Sequence, residues 1–207
     1  MRVIEKMDDQ YLTVARAARA KIRVGACRFI ASIAPCADEA EAKEFIKRVQ
    51  YEFHDATHNA YAYRLGLDGA LARCDDDWEP AGSSGPPMLQ ALETHGLVYT
   101  VVVGTRYFGG VKLGIGGLVR AYRSCAEAGI KAAGICKKTL MKPLRIVVSY
   151  DNLGTVLRAI SSFGGELKEQ DFGEEVCVHC LIRASRQDSF AKHLVEQTSG
   201  KVRIEKK

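Results

Sequence analysis

Residues 98–104 (VYTVVVG) form an unbroken β-branched apolar run, the pattern of a strand buried on both faces. From Leu118 onward the apolar positions change to helical spacing (Leu118, Val119, Tyr122, Cys125, Ala126, Gly129), which predicts a long helix reaching about Lys138. Upstream, residues 22–34 read as strand, with Gly25 as a bulge or turn. Residues 38–53 set Ala42, Phe45, Ile46 and Val49 on one side and acids in the first turn, predicting an amphipathic helix. Residues 60–67 alternate as a strand that pairs with 71–74 through the Asp68-Gly69 turn. A loop over 82–87 leads into a short helix opened by Pro86 or Pro87 and ended by Gly96.

After Pro143 the pattern restarts. Residues 144–150 read as strand, 151–163 as a helix closed by Gly164-Gly165, and 166–172 and 176–184 as strands around a turn. Ser185 with Asp188 resembles a capping box for a helix to Thr198, and 201–204 supplies a last strand. The order βαββαβ is that of a ferredoxin-like domain. The chain is therefore expected to be α+β with two domains, residues 1–140 and 141–207.

Between the buried strand and the long helix lies TRYFGGVKLGIGGLVRAY (105–122), with five glycines and the cations Arg106, Lys112 and Arg120. Backbone N–H groups at a helix start, unobstructed by Cβ atoms, attract anions. The run departs from both sharp nucleotide motifs: Ile115 stands where a Walker loop needs lysine, and the spacing never gives G-x-G-x-x-G. Two readings stand: a plain phosphate cradle using Gly116 or Gly117 with Lys112, or glycines that let the helix pack tightly on the sheet.

The same segment resembles the signature of the IMPACT family, in particular its short YigZ-like bacterial and archaeal members. CRFIA (27–31), DATHNAYAYRLG (55–66) and DDWEPAGSSGPPML (76–89) match in order. The family pattern has serine and glycine where this chain has Cys27 and Trp78; the glycine implies a turn at positive φ, which tryptophan disfavours. The resemblance implies a first domain like domain 2 of ribosomal protein S5 and domain IV of elongation factor G, an α/β sandwich, and a second like the last domain of elongation factor G. Those folds point toward RNA or nucleotide phosphate, although fold alone does not assign function. Eukaryotic relatives regulate translation initiation under amino-acid starvation through protein contacts, using an extra N-terminal domain not represented in these 207 residues.

Composition excludes some classes. With 47% hydrophobic and 27% charged residues the chain is globular, and no apolar run nears the roughly 20 residues of a membrane span. The charged N-terminus lacks a signal-peptide core, and seven cysteines, an odd number, suit reduced thiols; a cytoplasmic location is expected. The net charge of +5 is unevenly spread: residues 35–95 carry twelve acids against five bases, and residues 106–138 seven bases against one acid. Either a basic face results or the two blocks pair.

The leading expectation is translation-linked binding of RNA or a ribosomal surface. Arg28, Arg106, Lys112, Arg120 and Arg123 would meet phosphate, Gly109, Gly110, Gly116 and Gly117 would supply backbone, and Tyr107 would stack a base, with either Tyr107 or Phe108 buried by strand alternation. The alternatives are regulation of translation initiation through a protein partner, or an enzyme for a phosphorylated small molecule or peptide with His58, Asp76, Asp77, Glu79 and Arg106 in one pocket. No catalytic residue is assigned, and no cofactor or metal is expected. His54 and His58 do not share a continuing helix, and the C-x-x-C of Cys177 and Cys180 lies in a strand whose positions three apart face opposite ways.

Overall fold

The computed structural model describes residues 9–206. Strands β1 (Gln10–Val14), β2 (Ala18–Val24) and β3 (Cys27–Pro35) precede helix α1 (Glu39–Glu52); β4 (His58–Leu65) and β5 (Leu71–Asp75) lead to α2 (Gly85–Thr94), β6 (Thr100–Tyr107), α3 (Gly114–Ala133) and β7 (Ile135–Thr139). The remainder runs β8 (Met141–Val148), α4 (Tyr150–Ser162), β9 (Glu166–Phe172), β10 (Val176–Arg183), α5 (Gln187–Gln197) and β11 (Val202–Lys206). Residues Tyr11–Lys138 form one compact unit, and the chain from Thr139 forms another with Asp9 and Gln10. The molecule is a two-domain α+β protein.

In the first unit the sheet order is β2-β3-β6-β4-β5, with every neighbouring pair antiparallel. The central strand β6 is buried as its apolar run requires. Its even positions face α2 and α3: Val102 packs with Phe29, Ala31 and Ile33 of β3 and Tyr122 of α3. Its odd positions face α1: Val101 and Val103 pack with Ala42, Ile46 and Val49. Helix α1 starts where Asp38 accepts the Glu41 N–H, an N-cap reinforced by Glu39 and Glu41 in the first turn.

The long helix ends at Ala133, not Lys138, because Gly134 takes φ 70° and leaves the helix; the following residues pair with β1 as β7. Of the two readings of Gly25 the structure has the turn: Gly25, at φ 57°, and Ala26 join β2 to β3 as a hairpin, and β2 begins at Ala18 rather than at residue 22.

The second unit has sheet order β11-β8-β10-β9 with α4 and α5 packed on one face, the ferredoxin-like arrangement. The capping box is absent: Ser185 donates its N–H and hydroxyl to the Asp9 carboxylate, and a short 3-10 turn (Ala184–Arg186) leads into α5. With Asp9 as its acceptor, Ser185 does not cap α5, whose N-cap is Arg186.

Candidate functional site

The expected phosphate set is divided by the pleat of β6. Arg106 points to the α2/α3 side and Tyr107 to the α1 side, opposite Phe29 and Arg28 respectively. Arg106 is only 5% exposed and donates twice to the Glu79 carboxylate, at 2.8 and 3.0 Å, and once to the Cys27 thiol. Burial opposes the guanidinium charge, but the Cys27 and Glu79 contacts outweigh it and hold the group above its ordinary pKa. Arg106 is thus committed to an internal carboxylate rather than displayed to phosphate.

Glu79 is itself buried and is the hub of the cluster. The Tyr122 hydroxyl donates to it at 2.7 Å, and His58 Nε2 lies 3.7 Å from its second oxygen. Burial first, then this bond to Glu79, raises the Tyr122 pKa well above the usual phenol range. His58 Nδ1 sits 2.7 Å from the Asp77 carbonyl, which fixes the ring between the acidic loop and Glu79. His58, Glu79 and Arg106 line a cleft of about 360 Å³ with Phe108, Lys112 and the first turn of α3. Helix α3 starts at Gly114, and its N-cap Leu113 offers no side-chain cap, so Lys112 and the positive helix end give this cleft an anion-favouring rim.

The other acids have structural partners. Asp76 accepts the N–H groups of Gly82, Ser84 and Gly85 and the Ser84 hydroxyl. Burial raises its pKa, but these donors outweigh burial and leave it lowered. Because Ser84 is the N-cap of α2 and makes no side-chain cap bond, Asp76 caps that helix from eight residues upstream. Asp77 accepts the Asn59 N–H. Between them and Glu79, Trp78 takes φ 65° and Asp77 φ 44°. The tryptophan therefore does occupy the conformation that favours glycine, with its indole 95% exposed.

The glycines have distinct roles. A Cβ on Gly109 would lie 2.1 Å from the Ala26 carbonyl oxygen, so Gly109 permits close approach to the β2–β3 hairpin. Gly110 takes φ 86° in open space, and Gly116 and Gly117 belong to the first turn of α3. Lys112 and Arg120 are exposed, whereas Arg123 is held by Glu127 and Gln90. Neither aromatic ring of the pair is buried: β6 ends at Tyr107, leaving Tyr107 half-buried and Phe108 exposed.

On the α1 side the structure sets the expected Arg28 and Tyr107 in a basic surface whose other members, Arg19, Lys21 and Arg23, the sequence reading missed. Alternation along β2 exposes Arg19, Lys21 and Arg23 on one face. Beside them the Arg28 guanidinium stacks 4.1 Å from the Tyr107 ring centre, and the Tyr107 hydroxyl donates to Asp55. Lys21, Arg23, Arg28 and Tyr107 border an open hollow of about 590 Å³ with Phe53 and Ile30. Arg19 is paired with Glu52. The signal was present in ARAKIRV (18–24), but the strand was expected to start only at residue 22.

Among the described residues no helix is long and apolar enough to cross a membrane. The architecture defines a class: a helix-covered antiparallel sheet with a Gly-rich strand-to-helix junction, joined to a ferredoxin-like domain. The Impact N-terminal domain matches residues 26–130 and a domain of unknown function (DUF1949) matches 146–201. An IMPACT family member from Bacillus subtilis, YvyE, is 34% identical over 94% of this chain and 90% of its own length. The YigZ member from Escherichia coli is 28% identical over 86% of this chain and 88% of its own. A crystal structure of a hypothetical protein superposes with a TM-score of 0.70 at 27% identity, covering 94% of this chain and 96% of that one. The chain belongs to the IMPACT family and resembles its YigZ-type members.

Proposed function

We propose that this protein binds RNA in a translation-linked role and that the open sheet face bearing Lys21, Arg23, Arg28 and Tyr107 makes the contact. The observation that carries this reading is the hollow on that face, lined by Lys21, Arg23 and Arg28 together with the half-buried Tyr107 ring, on which Arg28 stacks. Phosphates of a single strand meet Lys21 and Arg23, and a base takes its place on the Arg28–Tyr107 stack. The Gly-rich junction is the weaker surface for this role, because Glu79 neutralises Arg106 and Glu127 neutralises Arg123. The translation link rests on the fold resemblance to ribosome-associated domains.

The test is binding of labelled tRNA, rRNA and short single-stranded RNA across a salt titration. It compares wild type, Lys21→Ala/Arg23→Ala/Arg28→Ala and Lys112→Ala/Arg120→Ala. Binding lost in the triple variant and kept in the double one is the expected result. Loss only in the double variant moves the contact to the junction, and a folded wild type that binds no RNA at low salt overturns the proposal.

A further inference from the structure

The second unit presents a side-chain cluster unrelated to the surfaces above. Along β10, Val176, Val178, Cys180 and Ile182 are buried under the helices, so the alternate residues Cys177 and His179 share the opposite face. Asp171 of β9 stands directly across from Cys177. His179 Nε2 lies 3.4 Å from the Cys177 sulfur and 3.3 Å from Asp171 Oδ2, and the three potential donor atoms all lie within 4.8 Å of one another.

We propose that Asp171, Cys177 and His179 form a three-ligand site for a divalent cation of the zinc class. The donor set of one thiolate, one imidazole and one carboxylate suits a borderline-soft metal rather than magnesium or calcium. The spacing also fits. With metal–sulfur, metal–nitrogen and metal–oxygen bonds of about 2.3, 2.05 and 2.0 Å, tetrahedral edges are about 3.6 Å for S–N and about 3.3 Å for N–O. The two measured separations stand close to those edges before any metal is placed. The Asp171 side chain is largely exposed and His179 is half-buried, which leaves an approach for the ion and a fourth position for water. Arg145 Nε donates to the Cys177 sulfur at 3.1 Å while Nη1 of the same residue is tied to Glu205. That bond uses a sulfur lone pair that a metal-bound sulfur retains, and it orients the ligand from outside the site. The site is independent of the C-x-x-C reading, because Cys180 lies on the buried face.

The experiment uses the full-length chain, reduced and metal-free, titrated with zinc by calorimetry and with cobalt(II) by absorbance. The expected result is one ion per chain with a sulfur-to-cobalt charge-transfer band. Cys177→Ser abolishes that band, and Cys177→Ser, His179→Ala and Asp171→Asn each weaken zinc by at least about tenfold. Cys136→Ser, which removes a half-buried thiol on β7, leaves both unchanged. Circular dichroism of every variant checks folding; Asp171→Asn changes only an exposed side chain and keeps the test valid if a β10 variant misfolds. Absence of stoichiometric binding by folded wild type overturns the site, as does binding that survives Cys177→Ser and His179→Ala.

Discussion

Trp78 is held at φ 65° with its ring in solvent, so the fold bears backbone strain there without a packing gain from the indole. Replacing it with glycine should stabilise the protein by about 1 kcal/mol, because left-handed backbone costs an L-residue about that much. A urea midpoint unchanged or lowered in Trp78→Gly would show that the side chain contributes in some other way. Glu79 is the reverse case. Its carboxylate neutralises buried Arg106 and accepts from Tyr122, so Glu79→Gln should cost about 3 kcal/mol or more by leaving a buried charge without its counterion. Adding Arg106→Met to Glu79→Leu should recover part of the loss, which chemical denaturation of the single and double variants measures.

Helix α2 depends on an acid outside itself. The Asp76 carboxylate, held below its ordinary pKa by four donors that outweigh burial, contributes stability that is fully present above the unfolded carboxylate value of about 3.9. That contribution is lost as pH falls through the lower folded-state value. Wild type should therefore lose stability below about pH 4 more steeply than Asp76→Asn, which should already be weaker at pH 7 by about 1–3 kcal/mol. Urea midpoints across that pH range read both effects; parallel curves for the two proteins would remove Asp76 from the acid limb. The β2–β3 hairpin has a comparable dependence on Gly109. Gly109→Ala drives a Cβ into the Ala26 carbonyl and should cost about 1–3 kcal/mol, seen as a lowered Tm.

For the whole molecule, the measurable consequence of the basic sheet face is electrostatic. If Lys21, Arg23 and Arg28 each neutralise one phosphate, the log of the RNA association constant should fall against log salt with a slope of about −2 for a single strand. The slope should approach zero in the triple variant. Binding insensitive to salt would point to apolar contacts instead. This face was hard to read along the chain because its members come from β2, β3 and β6, and only the antiparallel register sets Arg28 opposite Tyr107.

The sequence by itself determined what local chemistry controls. Residues 38–53 predicted α1 to within a residue at each end, because the Asp38 cap and the first-turn acids act within one turn. The βαββαβ order after Pro143 was likewise legible from apolar period and turn residues. Tertiary structure decided the rest. Strands β1 and β7 are short and mixed in polarity, and they exist as strands because they pair with each other. Arg106 and Glu79 lie 27 residues apart, one on the central strand and one on a loop, and burial together turned two candidate surface charges into an internal pair. Charge along a chain is a local property, whereas its meeting with phosphate, metal or a buried carboxylate depends on register and burial, which only the folded sheet sets.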